Sequence, residues 1–317
     1  MSDPPRAIAG GLPEHADTAN HILIRGAAGF IGQELMTALH SSPLVHLTTT
    51  DITTPPIPPE SVSHAFRVTA VKTDLTSPKA VAFLLKHHSR FKPIYLLHGI
   101  MSGGAETDLD LGLHVNFDSH RFVLDALRQE TSPHHGTVVI FPSSLALMIE
   151  TLLGDYSRRG LLDGRIVRLP TIIVRPGAPS AAASSFASGI VRESLKGGES
   201  VLPVRPGLAM WVCSPNTVVG NLVAVKEIHR DPFGLSRVDN LPGVTVTVAD
   251  ILDALKTVGG KGALSLVSEE RNPQVEAIVE SWPAFFDASK EPSLGLARDG
   301  DLVTTFRDFA TRLKAGS

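Results

Sequence analysis

The chain has 317 residues, 43% of them hydrophobic and 19% charged, with a formal net charge of −3 and a pI near 6.5. That length is enough for one large α/β domain or two lobes sharing a sheet, and the charge balance gives no reason to expect nucleic acid or an anionic membrane as a partner. The single cysteine, Cys213, excludes an intramolecular disulfide; with no apolar run of membrane-spanning length and no hydrophobic signal core, the expectation is an intracellular, cytoplasmic protein.

Residues 1–20, rich in Pro, Gly, Ala and Asp, read as a loosely ordered tail. A short apolar run, 21–24, leads through glycines into an amphipathic stretch, 31–39: strand, tight turn, helix. Strands are predicted over 44–51 and 65–71, with a proline-rich excursion over 53–60 between them, then a helix over 78–86 and a buried strand over 93–99. Helical periodicity over 111–130, a strand over 137–141, a helix over 147–159 and a strand over 165–174 continue the alternation. The predicted fold is α/β, a doubly wound parallel sheet of Rossmann type. Beyond Arg175 the pattern becomes mixed, with helices over 184–195, 212–228 and 302–314, and reads as a smaller mixed C-terminal lobe. The predicted organisation is a tail over 1–20, a nucleotide domain over 21–175 and a mainly substrate-binding lobe over 176–317, with 212–228 returning to the first domain. The histidine pairs His87-His88 and His134-His135 lie beside loop signals and lack ligand-like partner spacing, so no metal site is expected.

Gly26-x-x-Gly29-x-x-Gly32 follows a strand and opens a helix. One glycine makes the turn, the next lets a pyrophosphate approach the backbone, and the third permits close helix–strand packing; the helix start favours the anion. Asp51 lies nineteen residues past Gly32, at the end of the second strand, where a carboxylate can accept both ribose hydroxyls and would repel a 2′-phosphate. No Arg or Lys between Leu44 and Pro59 offsets that repulsion, which favours NAD over NADP. Asp74-Leu75 suits the adenine end, the carboxylate toward the amino group and the leucine against the ring, or else belongs to the N-cap region of the next helix. Residues 97–99 end the fourth strand and would skirt the pyrophosphate and ribose.

With these residues the chain resembles the extended short-chain dehydrogenase/reductase family, the NAD-dependent epimerase/dehydratase group. The less common pieces are 102–106 (SGGAE), Val115-Asn116, 155–160 (DYSRRG), 168–177 (RLPTIIVRPG), 181–186 (AAASSF), Trp211 with Ser214-Pro215, and 242–247 (PGVTVT). The resemblance spans residues 21 to about 312. It implies an oxidoreductase that removes hydride from the 2-hydroxyl of a four-carbon sugar acid and passes it to NAD, within a possible homodimer. It adds Phe30, Ile31, Leu97, Gly99, Asn116 and Pro170 to the cofactor residues. It also implies Ser144 as the catalytic serine, and Ser102, Ser143, Arg175 and Ser184 on the substrate side. Where the family tends to carry Lys and Asn after Pro176-Gly177, this chain has Ala178 and Ser180, which puts the choice of acid in question.

One part of the family pattern is missing. Removing hydride from an alcohol requires a base for the hydroxyl proton. In this family a tyrosine supplies it, and a lysine four residues later shares the same helical face. No Tyr-x-x-x-Lys pair occurs in this chain, whose only tyrosines are Tyr95 and Tyr156. Ser144 and Asp155 are eleven residues apart, roughly two dozen fewer than the family pattern needs, and the lysine position aligns near Ala146. Tyr156 is a poor substitute, because the residue four later is Gly160 and it lies at the far end of the helix. His98 and His114 could titrate near neutrality or be packed structurally, and Ser144 could equally cap the shortened helix. The chain is therefore expected to bind NAD weakly with negligible turnover. Its origin is then a sugar-acid dehydrogenase whose catalytic segment is lost through splicing or an incorrect reading of the gene. The alternatives are a non-catalytic NAD-binding protein, either a redox sensor or a partner subunit, and an epimerase or lyase of the same family, which would need the same tyrosine.

Overall fold

The computed structural model describes residues 21–59, 67–87, 90–100, 108–129, 131–143, 147–180, 182–287 and 294–315; the expected tail and the positions of Ser102 and Ser144 lie outside them. In chain order the first unit runs β1 (His21–Arg25), α1 (Phe30–His40), β2 (His46–Asp51), β3 (Val68–Lys72), α2 (Pro78–Lys86) and β4 (Ile94–Leu96). It continues with α3 (Leu109–Leu113), a π turn (His114–Asp118), α4 (Ser119–Leu127), β5 (Val138–Ser143), α5 (Leu147–Arg158) and β6 (Asp163–Arg168). Then follow β7 (Thr171–Ile172), α6 (Ser185–Leu195), β8 (Ser200–Leu202), β9 (Ala209–Cys213), α7 (Pro215–Val225), β10 (Val238–Asn240) and β11 (Val244–Thr247). The chain closes with α8 (Val248–Leu264), β12 (Val267–Glu269), α9 (Pro273–Glu280) and α10 (Leu302–Ala315).

Seven strands form one sheet in the order β10-β6-β5-β4-β1-β2-β3, and every pairing in it is parallel. Parallel strands need helical crossovers, and those helices cover both faces. All five residues of β1 are accordingly buried, and they divide by the two-residue strand period. Ile22 and Ile24 pack with Leu35, Met36 and Leu39 of α1 and Val218 and Leu222 of α7. Leu23 packs with Val81 of α2, Leu124 of α4 and Leu153 of α5 on the opposite face. Each such fully buried side chain stabilises the fold by about 2 kcal/mol. Chain direction along the sheet reverses at β1, which has β2 on one side and β4 on the other, and this opens a crevice beyond their C-terminal ends.

A three-stranded sheet, β11-β9-β7, and a two-stranded one, β12-β8, carry the second unit, whose core joins Ile190 and Val191 of α6, Ile251 and Leu255 of α8, and Phe306 of α10. The fourth strand ends at Leu96, not at residue 99, and the helix expected over 111–130 is α3, the π turn and α4. Two further predicted elements need correction. The strand expected over 165–174 is two strands in different sheets: β6 ends at Arg168, and after the buried Pro170 the chain leaves to pair β7 with β9. A proline has no N–H to continue a ladder. The helix expected over 212–228 begins only at Pro215, because Ser214 caps it by accepting from Thr217 N, and Val212–Cys213 belong to β9. The sequence reading also passed over α8, although Thr247 and Asp250 form a reciprocal capping box at its start.

Candidate active site

The glycine turn is built by backbone contacts. Gly26 N and Ala27 N both donate to Thr50 O, at 2.9 and 3.2 Å, and Leu97 N donates to Arg25 O at 2.8 Å, so the ends of β1, β2 and β4 meet at the turn. Gly26 has φ +81°, and a Cβ there would fall 2.4 Å from His98 N. A Cβ on Gly32 would fall 2.5 Å from Gly26 O, whereas one on Gly29 would meet only Gly26 O, at 3.4 Å. Gly26 and Gly32 are thus required by packing, and the space over Gly29 stays open for a close approach. Helix α1 starts at Phe30 with no side-chain cap at Gly29 and no acidic residue in its first turn, where Ile31 is half-buried. These first-turn N–H groups and the helix dipole suit an anion.

Asp51 stands beside this turn. Its Oδ2 accepts from Ala28 N at 3.0 Å and its Oδ1 from Ile52 N at 2.7 Å, while its carbonyl accepts from Thr73 N at 2.8 Å. The last contact brings the end of β3, and with it Asp74 and Leu75, next to the end of β2. Asp74 is exposed and its Oδ1 accepts from both Thr76 N (3.0 Å) and Thr76 Oγ1 (2.7 Å); the cap of α2 itself is Ser77. Leu75 is buried at 6% exposure. On the other side of the turn, Leu97 is half-buried and Gly99 exposed. Asn116, in the π turn, clasps the backbone beyond Gly99: its Oδ1 accepts from Ile100 N at 2.8 Å and its Nδ2 donates to Ile100 O at 3.0 Å. A π turn places this side chain where a regular helix would not, a common device at functional sites.

The geometry therefore gathers Gly26, Gly29, Phe30, Ile31, Gly32, Asp51, Asp74, Leu75, Leu97, Gly99 and Asn116 around one crevice. A second group forms at the ends of β5 and β6, where Leu169 N donates to Ser143 O at 2.9 Å and Ser143 and Pro170 are buried. Arg175 and Ser184 lie in the second unit. The Arg175 guanidinium donates to Ser180 Oγ at 2.9 Å, and its pKa is lowered by burial and by nearby Arg192; Ser184 precedes α6 without capping it through its side chain. A cleft of about 390 Å³ between β9, β11, α8 and α10, bordered by Asp253 and Asp299, contains none of the predicted site residues.

Both tyrosines are engaged elsewhere. The Tyr95 hydroxyl, on buried β4, donates to Leu222 O at 3.1 Å, and burial pushes its pKa up. The Tyr156 hydroxyl donates to Asp125 Oδ1 at 2.7 Å, with Arg128 over its ring; burial and then Asp125 raise its pKa, against formation of a tyrosinate. His114 sits on the exposed side of the π turn, 3.5 Å from Asp118. His98 is half-buried as a residue, with its Nε2 2.6 Å from Ser119 Oγ, and desolvation of the ring drives its pKa well below the usual value.

Helix α5 is anchored despite its shortness. Glu150, 4% exposed, receives Arg168 Nη2 at 2.7 Å and Arg168 Nε at 3.1 Å. Gly164 of β6 lies so close that a Cβ there would fall 2.5 Å from Ser157 Oγ. Sequence reasoning missed this pair. It also missed Gln33, whose amide donates to Ala27 O (2.6 Å) and Pro56 O (3.0 Å), tying the proline-rich excursion to the glycine turn. A polar residue one position past the third glycine was the available signal.

A parallel, doubly wound sheet with a glycine turn and a carboxylate at the end of β2 defines a dinucleotide-binding class. The model of the NAD dependent epimerase/dehydratase family matches residues 22–150. D-erythronate dehydrogenase of Cupriavidus necator is 36% identical, covering 91% of this chain and 97% of its own; that of Haemophilus influenzae is 34% identical, covering 91% and 98%. A crystal structure described as a nucleoside-diphosphate-sugar epimerase from Agrobacterium tumefaciens superposes with a TM-score of 0.87 at 32% identity, covering 98% of this chain and 99% of that one. The chain belongs to the NAD dependent epimerase/dehydratase family, as an NAD-dependent dehydrogenase by descent. The alignment to the Cupriavidus protein also measures a deficit. It spans 325 positions but takes in 91% of 317 residues, about 288, so roughly 37 positions have no counterpart here.

Proposed function

We propose that this chain is a sugar-acid dehydrogenase by lineage that retains the adenosine and pyrophosphate half of its NAD site and lacks the base for hydride removal. Its substrate class is a four-carbon 2-hydroxy acid such as D-erythronate. The glycine turn, the start of α1 and Asp51 would hold the pyrophosphate and ribose, with Asp74 and Leu75 toward the adenine and Leu97, Gly99, Asn116 and Pro170 along the path to the nicotinamide. Bound NAD supplies a hydride acceptor. The second unit, mainly 176–317, would shape the substrate pocket through Arg175 and Ser184, with Ser143 at its floor; Ser102 and Ser144 belong to the same assignment.

The observation that carries this reading is the contrast between an intact turn and the absence of any Tyr-x-x-x-Lys pair, with the residues four past Tyr95 and Tyr156 both glycine. An alcohol proton needs an acceptor at the reacting carbon. Tyr156 is bound to Asp125 and Tyr95 to Leu222, while burial holds His98 neutral with its Nε2 occupied. Acid–base help is commonly worth about 10²–10⁴ in rate, and loss of the lysine removes orientation as well. The anchoring of α5 through Glu150 and Arg168 supports a chain that folds around the deficit, which is also what a non-catalytic NAD-binding protein requires. The test is NADH formation by purified protein with NAD and D-erythronate. The expected result is none above background, and restoring a family Tyr-x-x-x-Lys segment between Ser144 and Leu147 should create it. Substrate-dependent NADH at ordinary dehydrogenase rates from the unmodified chain would sink the proposal.

A further inference from the structure

Arg25 ends β1 and directly precedes Gly26. It follows Leu23 by two residues and so lies on the α2–α4–α5 face of the sheet, where it is 1% exposed. Among the described residues, none of its three guanidinium nitrogens has a hydrogen-bond partner. Burial pulls its pKa down to about 9, which still leaves it protonated at neutral pH. A buried guanidinium with no counter-charge is a strongly unfavourable arrangement, and native proteins rarely keep one without a use for it.

The neighbouring polar groups do not neutralise it. His98 and His120 stack with ring centroids 3.9 Å apart, and both are held neutral by burial with a contribution from Arg25's charge. His120 Nε2 lies 3.1 Å from His98 O, which only accepts, so that nitrogen carries the proton. The Ser119 hydroxyl is committed to Val115 O at 2.6 Å, which makes His98 Nε2 the donor in its 2.6 Å contact with Ser119. Both Nδ1 atoms are then lone pairs, and neither has a partner among the described residues. Positive charge at this end of β1 is reinforced by the start of α1, which has no acidic residue in its first turn. The Asp51 carboxylate, beside the turn, is already turned to Ala28 N and Ile52 N.

We propose that Arg25 is a buried counter-charge for the diphosphate of the dinucleotide, unneutralised in the free protein and balanced when the anion settles on the glycine turn. The inference rests on the NAD reading above. Arg25 acts through its field, across a low-dielectric wall, because so enclosed a side chain makes no contact with a ligand in the crevice. It is a positioning charge, and its signature is selectivity for the phosphorylated part of the ligand.

The experiment measures affinity for NAD, ADP-ribose and adenosine in wild type, Arg25→Met, which keeps length and loses charge, and Arg25→Lys, which keeps charge. Arg25→Gln is a second neutral variant should the methionine variant not fold. The neutral variant should lose about tenfold on NAD and ADP-ribose and nothing on adenosine, and Arg25→Lys should stay within about threefold of wild type. Unchanged affinity for NAD and ADP-ribose in the neutral variant, or an equal loss on adenosine, would overturn the inference alone. A wild-type chain that binds neither NAD nor ADP-ribose would overturn the nucleotide reading, and this inference with it.

Discussion

The turn after β1 and the C-terminal end of β5 lie at the same edge of one parallel sheet, yet the two places depend on different things. The first works through backbone: glycines that cannot carry a Cβ, N–H groups at a helix start, and one carboxylate fixed by Ala28 and Ile52. Nearly all of it lies within about thirty residues, from Gly26 to Asp51. The second, on the proposal above, depends on side chains spaced along a helix, which the loss of one segment would remove together, while the helix beyond is anchored by Glu150, Ser157 and Gly164. On that proposal, binding determinants built into a local fold outlast a loss that chemistry would not.

Substitutions can break this comparison from either side, and the largest effect is expected at the turn. Gly26→Ala puts a Cβ 2.4 Å from the His98 backbone at φ +81° and should destabilise the fold by at least about 3 kcal/mol, measured by denaturant melts, with NAD binding lost. Glu150→Ala strands the Arg168 guanidinium at the anchor of α5. It should cost about 2–3 kcal/mol, less than a fully buried pair because Arg168 is 28% exposed, and it should leave adenosine binding intact. Asp51→Asn removes the ribose acceptor charge, so NAD affinity should fall about tenfold or more while NADP affinity changes little.

Two smaller effects sharpen the account. His120, held at a pKa of about 3 by burial, and His98, also lowered, are neutral in the folded chain and titrate near 6.5 when unfolded. The unfolded state therefore takes up more protons below pH 6.5. Stability is full above that value and should fall as pH drops toward the folded pKa, by up to about 1.4 kcal/mol per pH unit for each such histidine. Melts from pH 7 to 4 should show that slope, reduced in His120→Gln. Tyr156→Phe should cost only about 0.5–1.5 kcal/mol in denaturant melts for the bond to Asp125 and leave NADH formation at background in both proteins; turnover by wild type that this variant abolishes would identify Tyr156 as the base.

Much of the nucleotide half was legible because its signals are local. A buried run, three glycines and a carboxylate at the next strand end place Gly26, Gly29, Gly32 and Asp51 without any long-range contact. The alternation of strands and helices gave the doubly wound sheet for the same reason. Asn116 came from a family likeness, since a π turn leaves no trace in residue periodicity. The strand predicted over 165–174 failed because an apolar β-rich run does not reveal that Pro170 sends it to a second sheet. Arg25 and His120 escaped notice, and His98 was read only as a group that could titrate or pack, because burial of a charge is a tertiary fact: Arg25 and His98 are 73 residues apart in the sequence, and His98 and His120 are 22 apart.

The claim at the centre is that one half of the NAD site persists without the other. Calorimetric titration of the same protein with NAD and with ADP-ribose tests it most directly. The account predicts saturable binding of both with affinities within about threefold, because a nicotinamide half without its lysine and tyrosine contributes little. NAD binding far tighter than ADP-ribose would mean the nicotinamide is still gripped, and would contradict the account.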